Sequence, residues 1–274
     1  MDNNMVFSIS TQMVLEGREL KSVEPDSEGV YRGIPLTAIG INSRNNVNYD
    51  PRSVVRCITT VTNRFNVNLV EGNLEGEWGH PLVTKKEELP RLLYIDRTRI
   101  SHYFRHVYAK KSASGDYIIV YGDLVAFGPY GQYLRESFAD KKRNTCFSLR
   151  SAAKVTGTDG PITYKEMLAL VTFDAVDGPG FAIAGKRNSD IDAVQSMEAI
   201  DIPADREDLK ASMEALKLSG VESIITDNQL LDIFQSNQIR IRENVVAVYD
   251  EKAHALITPK GRASLFGTCF DPSK

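Results

Sequence analysis

The sequence predicts an α+β fold for this chain of 274 residues. Short runs of β-branched and apolar residues, typical of strands, are mixed with helical segments. They lack the regular strand–helix–strand alternation of a doubly wound parallel sheet. The composition is 42% hydrophobic, which is sufficient for a sizeable core in one large domain or in one domain with an appendage.

The first part of the chain contains strands and one clear helix start. β-branched and apolar residues near turn signals predict strands at 6–13 and 34–41. Asp50–Pro51 predicts the start of a helix, because aspartate caps a helix N-terminus and proline is tolerated at the first helical position. The alternation of residues 66–71 predicts a further strand, whereas the charged stretch Lys85–Glu88 is expected in a loop.

The central part is predicted to consist mainly of strands. Residues 100–108 and 116–127 form a candidate antiparallel pair, and residues 131–139 follow a turn as a short helix. The remaining elements expected here are strands at 145–150 and 167–176, with a Gly-rich turn at 155–161 between them.

The composition changes after about residue 187. Residues 188–218 are polar and rich in Asp and Glu, with helical periodicity at 206–218, and residues 226–236 resemble another short helix. We therefore predict a main domain at 1–187 and a separate C-terminal region at 188–274, which is either a small subdomain or a tail.

The composition argues against several functional classes. The net charge of −3 and the pI of about 5.9 differ from the basic footprint of a protein that binds nucleic acid directly. No apolar run approaches the ~18–20 residues that cross a bilayer, and the first residues lack the basic segment of a secretory signal. We expect no membrane contact and a protein that stays in the cell that makes it. Three widely spaced cysteines, Cys57, Cys146 and Cys269, predict neither a disulfide framework nor a zinc site.

One of the four histidines lies in an unusual segment, Gly76–Pro81. Its glycines are compatible with a purely structural turn, or with a rigid turn that presents His80 as a general base with a pKa near neutrality. Glu77 and His80 also have a spacing that could hold a metal on a helix, but the intervening Trp-Gly and the following proline argue against a helix. We expect no metal there.

His102 and His106 form a second histidine pair. On a strand they would point to the same face. The glutamate that a zinc protease needs after the first histidine is replaced by Tyr103. Half-buried or surface histidines are therefore favoured over a metal site.

The choice of a nucleophile is open from the residues alone, because no Gly-x-Ser-x-Gly motif is present. Cys146, Ser148 and Arg150 would share one face of a strand. Serine needs a base, and the base needs an orienting partner, for which Asp174 is a candidate and Asp177 a competitor better suited to a turn. Cys146 is an alternative nucleophile.

Taken in order, several short motifs resemble those of the prohead proteases of tailed phages, in the branch related to the T4 prohead core protease. The resemblance spans roughly residues 35–186. The residues that carry it are Gly76–Pro81, Ile100–His102, Val120–Gly122, Gly128–Leu134, Phe147–Arg150 and Thr172–Pro179.

The resemblance implies a fold similar to herpesvirus assemblin, in which a small, largely antiparallel β-barrel is surrounded by helices. It implies a serine endopeptidase that needs no cofactor and cleaves scaffold or core proteins and the major capsid protein. Cleavage would occur inside the assembling prohead, in the host cytoplasm, during head maturation.

By position, the resemblance makes His80 the general base and Ser148 the nucleophile. Asp174 matches the acidic third member, and His102 is its rival because the herpesvirus relatives use a second histidine there. Oxyanion donors are expected from backbone N–H groups at Arg150–Lys154, with Arg150 supporting that loop or a water. An ordinary surface arginine is the alternative. Ser151 replaces the glycine often found after the Ser-x-Arg motif.

The family also processes itself and cleaves after glutamate. The motif Ser-Met-Glu-Ala occurs twice, at 196–199 and at 212–215. Glu198 and Glu214 are therefore candidate self-cleavage sites that would trim the C-terminal region. Coincidence in segments rich in Met, Glu and Ala is the alternative.

A rival function from another class is a non-catalytic phage head scaffold or capsid-binding protein. Scaffold proteins tend to be long, charged and helical, whereas this chain has many predicted strands. The distance between the His80 imidazole and the Ser148 hydroxyl distinguishes the two functions, since only the enzyme needs them within hydrogen-bond reach.

Overall fold

The computed structural model describes residues 5–11, 22–40, 46–83, 85–111, 117–141, 143, 145–176, 201–225, 248–250 and 255–257. The α-helices within these ranges are α1 (Pro51–Thr59), α2 (Arg64–Val70), α3 (Gly131–Ala139) and α4 (Arg206–Leu218), and 3-10 helices span Lys86–Leu92 and Arg97–Arg99. The strands are β1 (Met5–Thr11), β2 (Val30–Ile39), β3 (Val47–Tyr49), β4 (Glu75–Glu77), β5 (Ile100–Lys111), β6 (Ile118–Ala126), β7 (Cys146–Asp159), β8 (Ile162–Val176), β9 (Asp201–Ala204), β10 (Val248–Asp250) and β11 (Ala255–Ile257).

The described strands form two main sheets. One has the order β3-β8-β7-β1-β9, in which every pair is antiparallel except β3 with β8. The other is antiparallel with the order β2-β6-β5-β4. Strands β10 and β11 pair only with each other among the described residues.

These sheets confirm the α+β class and the predominance of antiparallel strands. Within the described ranges, the hydrogen-bond ladders join the strands into separate sheets and not into one closed barrel. The similarity to assemblin stays a prediction.

The main core brings both sheets together with α1, α2 and α3. Phe104 of the smaller sheet packs edge-on against Phe173 of the larger sheet, with ring centroids 6.0 Å apart. Phe65 of α2 contacts the same ring at 6.4 Å. Full burial of one such side chain stabilises a fold by roughly 1.5–3 kcal/mol, so this contact contributes substantially to the packing of the two sheets against each other.

Three predicted helices are confirmed. Helix α1 begins where Asp50–Pro51 predicted it, and the Asp50 carboxylate accepts a hydrogen bond from the Ser53 amide at 2.8 Å. Helices α3 and α4 have the predicted bounds, 131–139 and 206–218. At the start of α4, the Asp205 side chain accepts from the Asp208 amide, and the Asp208 side chain accepts from the Asp205 amide.

Two predictions in the first part of the chain are wrong. Residues 66–71 belong mostly to helix α2, because the Asn63 side chain caps that helix and accepts from the Asn66 amide at 2.8 Å. The charged stretch Lys85–Glu88 leads into a 3-10 helix, because burial of Leu89 and Leu92 outweighs its polar composition.

The predicted turn at 155–161 is also wrong. Strand β7 continues to Asp159, and the chain reverses only at 160–161, where Gly160 adopts a positive φ of 55°. Gly157 lies at a register shift within the β7–β8 ladder, so its conformational freedom is used in an irregular strand and not in a turn.

Part of the C-terminal region joins the rest of the molecule. Strand β9 pairs with β1 at the edge of the larger sheet. Helix α4 buries Leu209, Met213 and Leu216 in a second apolar cluster that also contains Leu89 and Leu92. The predicted helix at 226–236 lies outside the described residues, and the division at residue 187 stays a prediction. No helix in the described ranges is long and apolar enough to cross a membrane.

Candidate active site

The segment that carries His80 lies where the two sheets meet. Gly76 pairs with His102 of β5, so β4 belongs to the smaller sheet. The chain then crosses to the larger sheet, where the Gly79 amide donates to the Ala175 carbonyl of β8 at 2.6 Å. Gly79 has a φ of 78°, a left-handed conformation that favours glycine. This turn sets the His80 imidazole beside β7 and β8.

Ser148 and Asp174 are direct cross-strand partners on β7 and β8. Both side chains are fully buried, and the His80 side chain is 15% exposed. His80 Nδ1 lies 3.0 Å from Asp174 Oδ2, and His80 Nε2 is in hydrogen-bond contact with Ser148 Oγ. The structure therefore brings His80, Ser148 and Asp174 into one chain of contacts.

The contacts determine the direction of each hydrogen bond. An ionised carboxylate can only accept, so His80 Nδ1 carries the proton and donates to Asp174. In a neutral imidazole, Nε2 then has a free lone pair, which faces the Ser148 hydroxyl. This arrangement can withdraw a proton from the serine oxygen.

Asp174 is held ionised despite complete burial. Burial opposes its charge, but the Arg150 guanidinium and the hydrogen bond from His80 outweigh it, so the pKa of Asp174 lies well below the usual 3.8. Arg150 Nε donates to Oδ2 at 2.9 Å, and Nη2 donates to both carboxylate oxygens at 2.7 Å. The Glu77 amide adds a bond to Oδ1 at 3.0 Å.

The environment of His80 favours its neutral form. Burial lowers the pKa of His80 below 6.5, and the positive charge of Arg150 acts in the same direction. The negative charges of Asp174 and Glu77 oppose this effect without reversing it. The imidazole is therefore available as a base at neutral pH.

The prediction of an oxyanion loop at Arg150–Lys154 is wrong. These residues lie inside β7, which is paired with β8 on one side and with β1 on the other. Arg150 is not a surface arginine, since it is 1% exposed and its nitrogens contact Asp174, Glu77 and the Tyr94 carbonyl. Sequence reasoning missed this network, although an arginine in a strand rich in apolar and small residues signals a buried ionic partner.

His102 lies close to the site but contacts other groups. Its Nε2 donates to the Phe173 carbonyl at 3.1 Å, and its Nδ1 accepts from the Ser101 hydroxyl at 2.8 Å. Burial lowers the pKa of His102 to about 4, so the ring is neutral. His80 Nδ1 faces Asp174, not this rival histidine.

The prediction that His102 and His106 share a face is wrong. A register shift between Phe104 and His106 inserts an extra residue into β5. His102 is fully buried as a result, whereas the His106 side chain is 69% exposed and faces Asp123 at 3.3 Å.

The buried His102 should make stability depend on pH. Its pKa is about 4 in the folded protein and 6.5 in the unfolded chain, so only the unfolded chain binds a proton between these values. The free energy of unfolding should fall by about 3 kcal/mol as the pH drops from 7 to 4. Urea unfolding at both pH values measures this loss. His102→Gln should show a smaller loss, and an equal loss in the variant would contradict the assignment.

The remaining candidates are not part of the contact chain. Cys146 is buried two residues before Ser148 on β7, while the histidine nitrogen contacts the serine hydroxyl. Glu214 is exposed on α4. Asp177 and Glu198 lie outside the described residues.

Comparison with known proteins assigns the chain to a family. A curated capsid maturation protease of Pseudomonas phage phiKZ is 26% identical over 198 residues, which cover 68% of this chain and 71% of that protein. The structure of the bacteriophage T4 capsid assembly protease, gp21, matches 64% of this chain and 99% of its own with 16% identity and a TM-score of 0.41. Residues 9–240 match the Peptidase S80 family. Because this match covers most of the sequence, the chain belongs to the Peptidase S80 family and is a peptidase.

Proposed function

We propose that the chain is a serine endopeptidase that cleaves scaffold or core proteins and capsid proteins during maturation of a phage head. The observation that carries the proposal is the contact of His80 with both Ser148 Oγ and Asp174. A non-catalytic head protein would have no need for this arrangement, so the geometry disfavours the scaffold alternative. Family membership supports a peptidase independently of the geometry.

The proposed reaction proceeds through an acyl-enzyme. His80 Nε2 takes the hydroxyl proton as Ser148 Oγ attacks the peptide carbonyl carbon, and the imidazolium then protonates the leaving amine as the C–N bond breaks. A water molecule next gives a proton to His80 and attacks the ester, which releases the acid product and restores the serine. Asp174 holds the imidazole tautomer and stabilises its charged form.

The substrate class comes from the curated relative. That protein, from phage phiKZ, is a capsid maturation protease. We therefore propose that this chain acts on capsid and scaffold proteins inside an assembling head, in the host cytoplasm.

We also propose that the chain cleaves after glutamate and that it cleaves itself. Both proposals are supported by the repeated Ser-Met-Glu-Ala motif at Glu198 and Glu214. Glu214 lies in the middle of α4, where Met213 and Leu216 are buried. Because a protease binds its substrate as an extended segment, cleavage after Glu214 would require α4 to unfold first.

Covalent labelling tests the proposed function. The purified chain is mixed with the scaffold and major capsid proteins of its phage, with and without a fluorophosphonate, and mass spectrometry maps both the label and the new termini. We expect the label on Ser148 and new termini after glutamate only in the untreated sample. Label on another residue, or cleavage that persists after complete labelling, would refute the nucleophile.

A further inference from the structure

Glu77 occupies an unusual position for a carboxylate. It is fully buried and lies among the guanidinium groups of three arginines. Arg91 donates to both of its oxygens, to Oε1 at 3.0 Å. Arg150 Nη2 lies 3.0 Å from Oε1, and Arg99 Nε lies 3.9 Å from Oε2.

The charges around Glu77 balance. We call this group the Glu77 cluster; its members are the carboxylates of Glu77, Asp96 and Asp174 and the guanidinium groups of Arg91, Arg99 and Arg150. Three negative charges face three positive charges, so the cluster is neutral when His80 is neutral. An unbalanced charge at Glu77, Asp174 or Arg150 would be costly, because these three side chains are at most 1% exposed and little solvent is present to screen them.

The cluster is connected to the proposed triad by two routes. Arg150 lies between the Glu77 and Asp174 carboxylates and contacts both. The Glu77 backbone amide donates to Asp174 Oδ1, which leaves Oδ2 to face His80 Nδ1. Glu77 also precedes His80 by three residues in the same segment. This segment therefore supplies the imidazole together with the Glu77 amide and the Glu77 carboxylate, which orient Asp174, the first directly and the second through Arg150.

We propose that Glu77 is a positioning residue, whose carboxylate shares Arg150 with Asp174 and so preserves the negative charge that Asp174 presents to His80. The proposal rests on the serine protease function proposed above. Glu77 itself touches neither the serine nor the imidazole. Without its charge, the Glu77 cluster would carry one excess positive charge, and Arg150 would face Asp174 without its second carboxylate partner. That excess would oppose formation of the imidazolium in the transition state.

Several elements contribute charged or titratable groups to the site. Asp174 and the neutral His102 lie on β8 and β5, Arg150 on β7, and Glu77 on β4. Arg91 lies on the 3-10 helix, and the segment after it carries Asp96 and Arg99. Arg91 pairs with Glu77 and Asp96 and is 20% exposed, so its charge can be removed without breaking the Arg150–Asp174 contacts.

The decisive variant is Glu77→Gln, which keeps the shape and removes the charge. We expect kcat and the rate of fluorophosphonate labelling to fall at least about tenfold, equivalent to about 1.4 kcal/mol, with KM little changed. Because the charge of Glu77 raises the pKa of His80, its loss should also lower the pH at which kcat declines on the acidic side of its pH profile. We call this decline the acidic limb. A folded variant with unchanged kcat and an unchanged limb would overturn the proposal.

Restoring neutrality separates charge balance from simple packing. In Glu77→Gln/Arg91→Gln the cluster is again neutral, so the acidic limb should return toward its original pH and part of kcat should recover. A purely structural role predicts that the double variant is worse than the single one. If Glu77→Gln does not fold, Arg91→Gln alone serves as the test, because an excess negative charge should move the limb to higher pH.

Two controls complete the experiment. Glu75→Gln removes the charge of a glutamate on the same strand but outside the Glu77 cluster, and it should leave kcat and the pH profile unchanged. Ser148→Ala measures the background. Cleavage by Ser148→Ala at the wild-type rate would refute the protease mechanism itself, whereas an inactive Ser148→Ala beside an unaffected Glu77→Gln would refute only the role of Glu77.

Discussion

Ser148→Ala should reduce peptide cleavage by a factor on the order of 10⁵ or more. The substitution removes the oxygen that His80 Nε2 contacts, and no acyl-enzyme can form without it. The fold should be retained, because alanine fits the space of a buried serine on a paired strand. The measurement is the rate at which new termini appear in the capsid and scaffold proteins, combined with thermal unfolding of the variant.

A matched serine on the same strand provides the control. Ser151 is also buried on β7, but its hydroxyl has no hydrogen-bond partner among the described residues. Ser151→Ala should therefore retain full activity and be at least as stable as the wild type, since an unsatisfied buried hydroxyl is removed. Equal losses in the two serine variants would show that β7 tolerates no substitution and that the effect is not chemical.

His80→Ala should be as inactive as Ser148→Ala, and the double variant should be no worse than either. Members of a catalytic unit are not additive, because removing one makes the others useless. Multiplicative losses would mean that His80 and Ser148 act independently. This outcome would contradict the contact chain in the structure.

The parts of the fold that could be predicted are those determined by local chemistry. Helix α1 starts at an aspartate followed by a proline, and the period of α4 is clear over 13 residues. Helix α2 was mistaken for a strand because it has only 7 residues, too few to distinguish alternation from a helical period. Its cap, Asn63, lies three residues before the segment 66–71 whose alternation indicates a strand.

The long-range features of the site could not be predicted in the same way. Ser148 and Asp174 were named from ordered motifs, but that they are cross-strand partners depends on the register of β7 with β8. The prediction of an oxyanion loop is wrong for a similar reason. Nothing local in Arg150–Lys154 reveals that β1, from the start of the chain, pairs with this segment.

The Glu77 cluster illustrates what composition conceals. From sequence, the spacing of Glu77 from His80 indicates at most a metal ligand on a helix. Its partners Arg91 and Arg150 are 14 and 73 residues away in sequence, and although the strand around Arg150 signals a buried ionic partner, no local pattern identifies Glu77 as that partner. Only the fold shows that these charges compensate one another at a buried site.

Asp174→Asn should lower activity at neutral pH by about 10³-fold to 10⁴-fold while leaving Ser148 and His80 in place. Asparagine has nearly the shape of aspartate. The Glu77 amide and Arg150 Nη2 both donate to Oδ1 and will keep the carbonyl oxygen at that position, so the NH₂ group takes the place of Oδ2 and faces His80 Nδ1. The imidazole must then accept at Nδ1 and carry its proton at Nε2, so it can no longer take the proton of Ser148. The variant should also lose about 3–5 kcal/mol of stability, because Arg150 keeps only Glu77 as a buried counter-charge.

Another histidine–aspartate pair among the described residues separates these effects. Asp123 lies 3.3 Å from His106 Nδ1 and accepts from the Gly33 amide at 2.8 Å, on the sheet that carries neither Ser148 nor Asp174. Asp123→Asn should reduce stability and leave kcat within about twofold of the wild type, since no step of the proposed reaction involves its charge. If both variants lose activity in proportion to their unfolded fraction, Asp174 contributes only to the fold. If Asp174→Asn is inactive under conditions where it is fully folded, its charge acts on His80, as the hydrogen bond at Nδ1 requires.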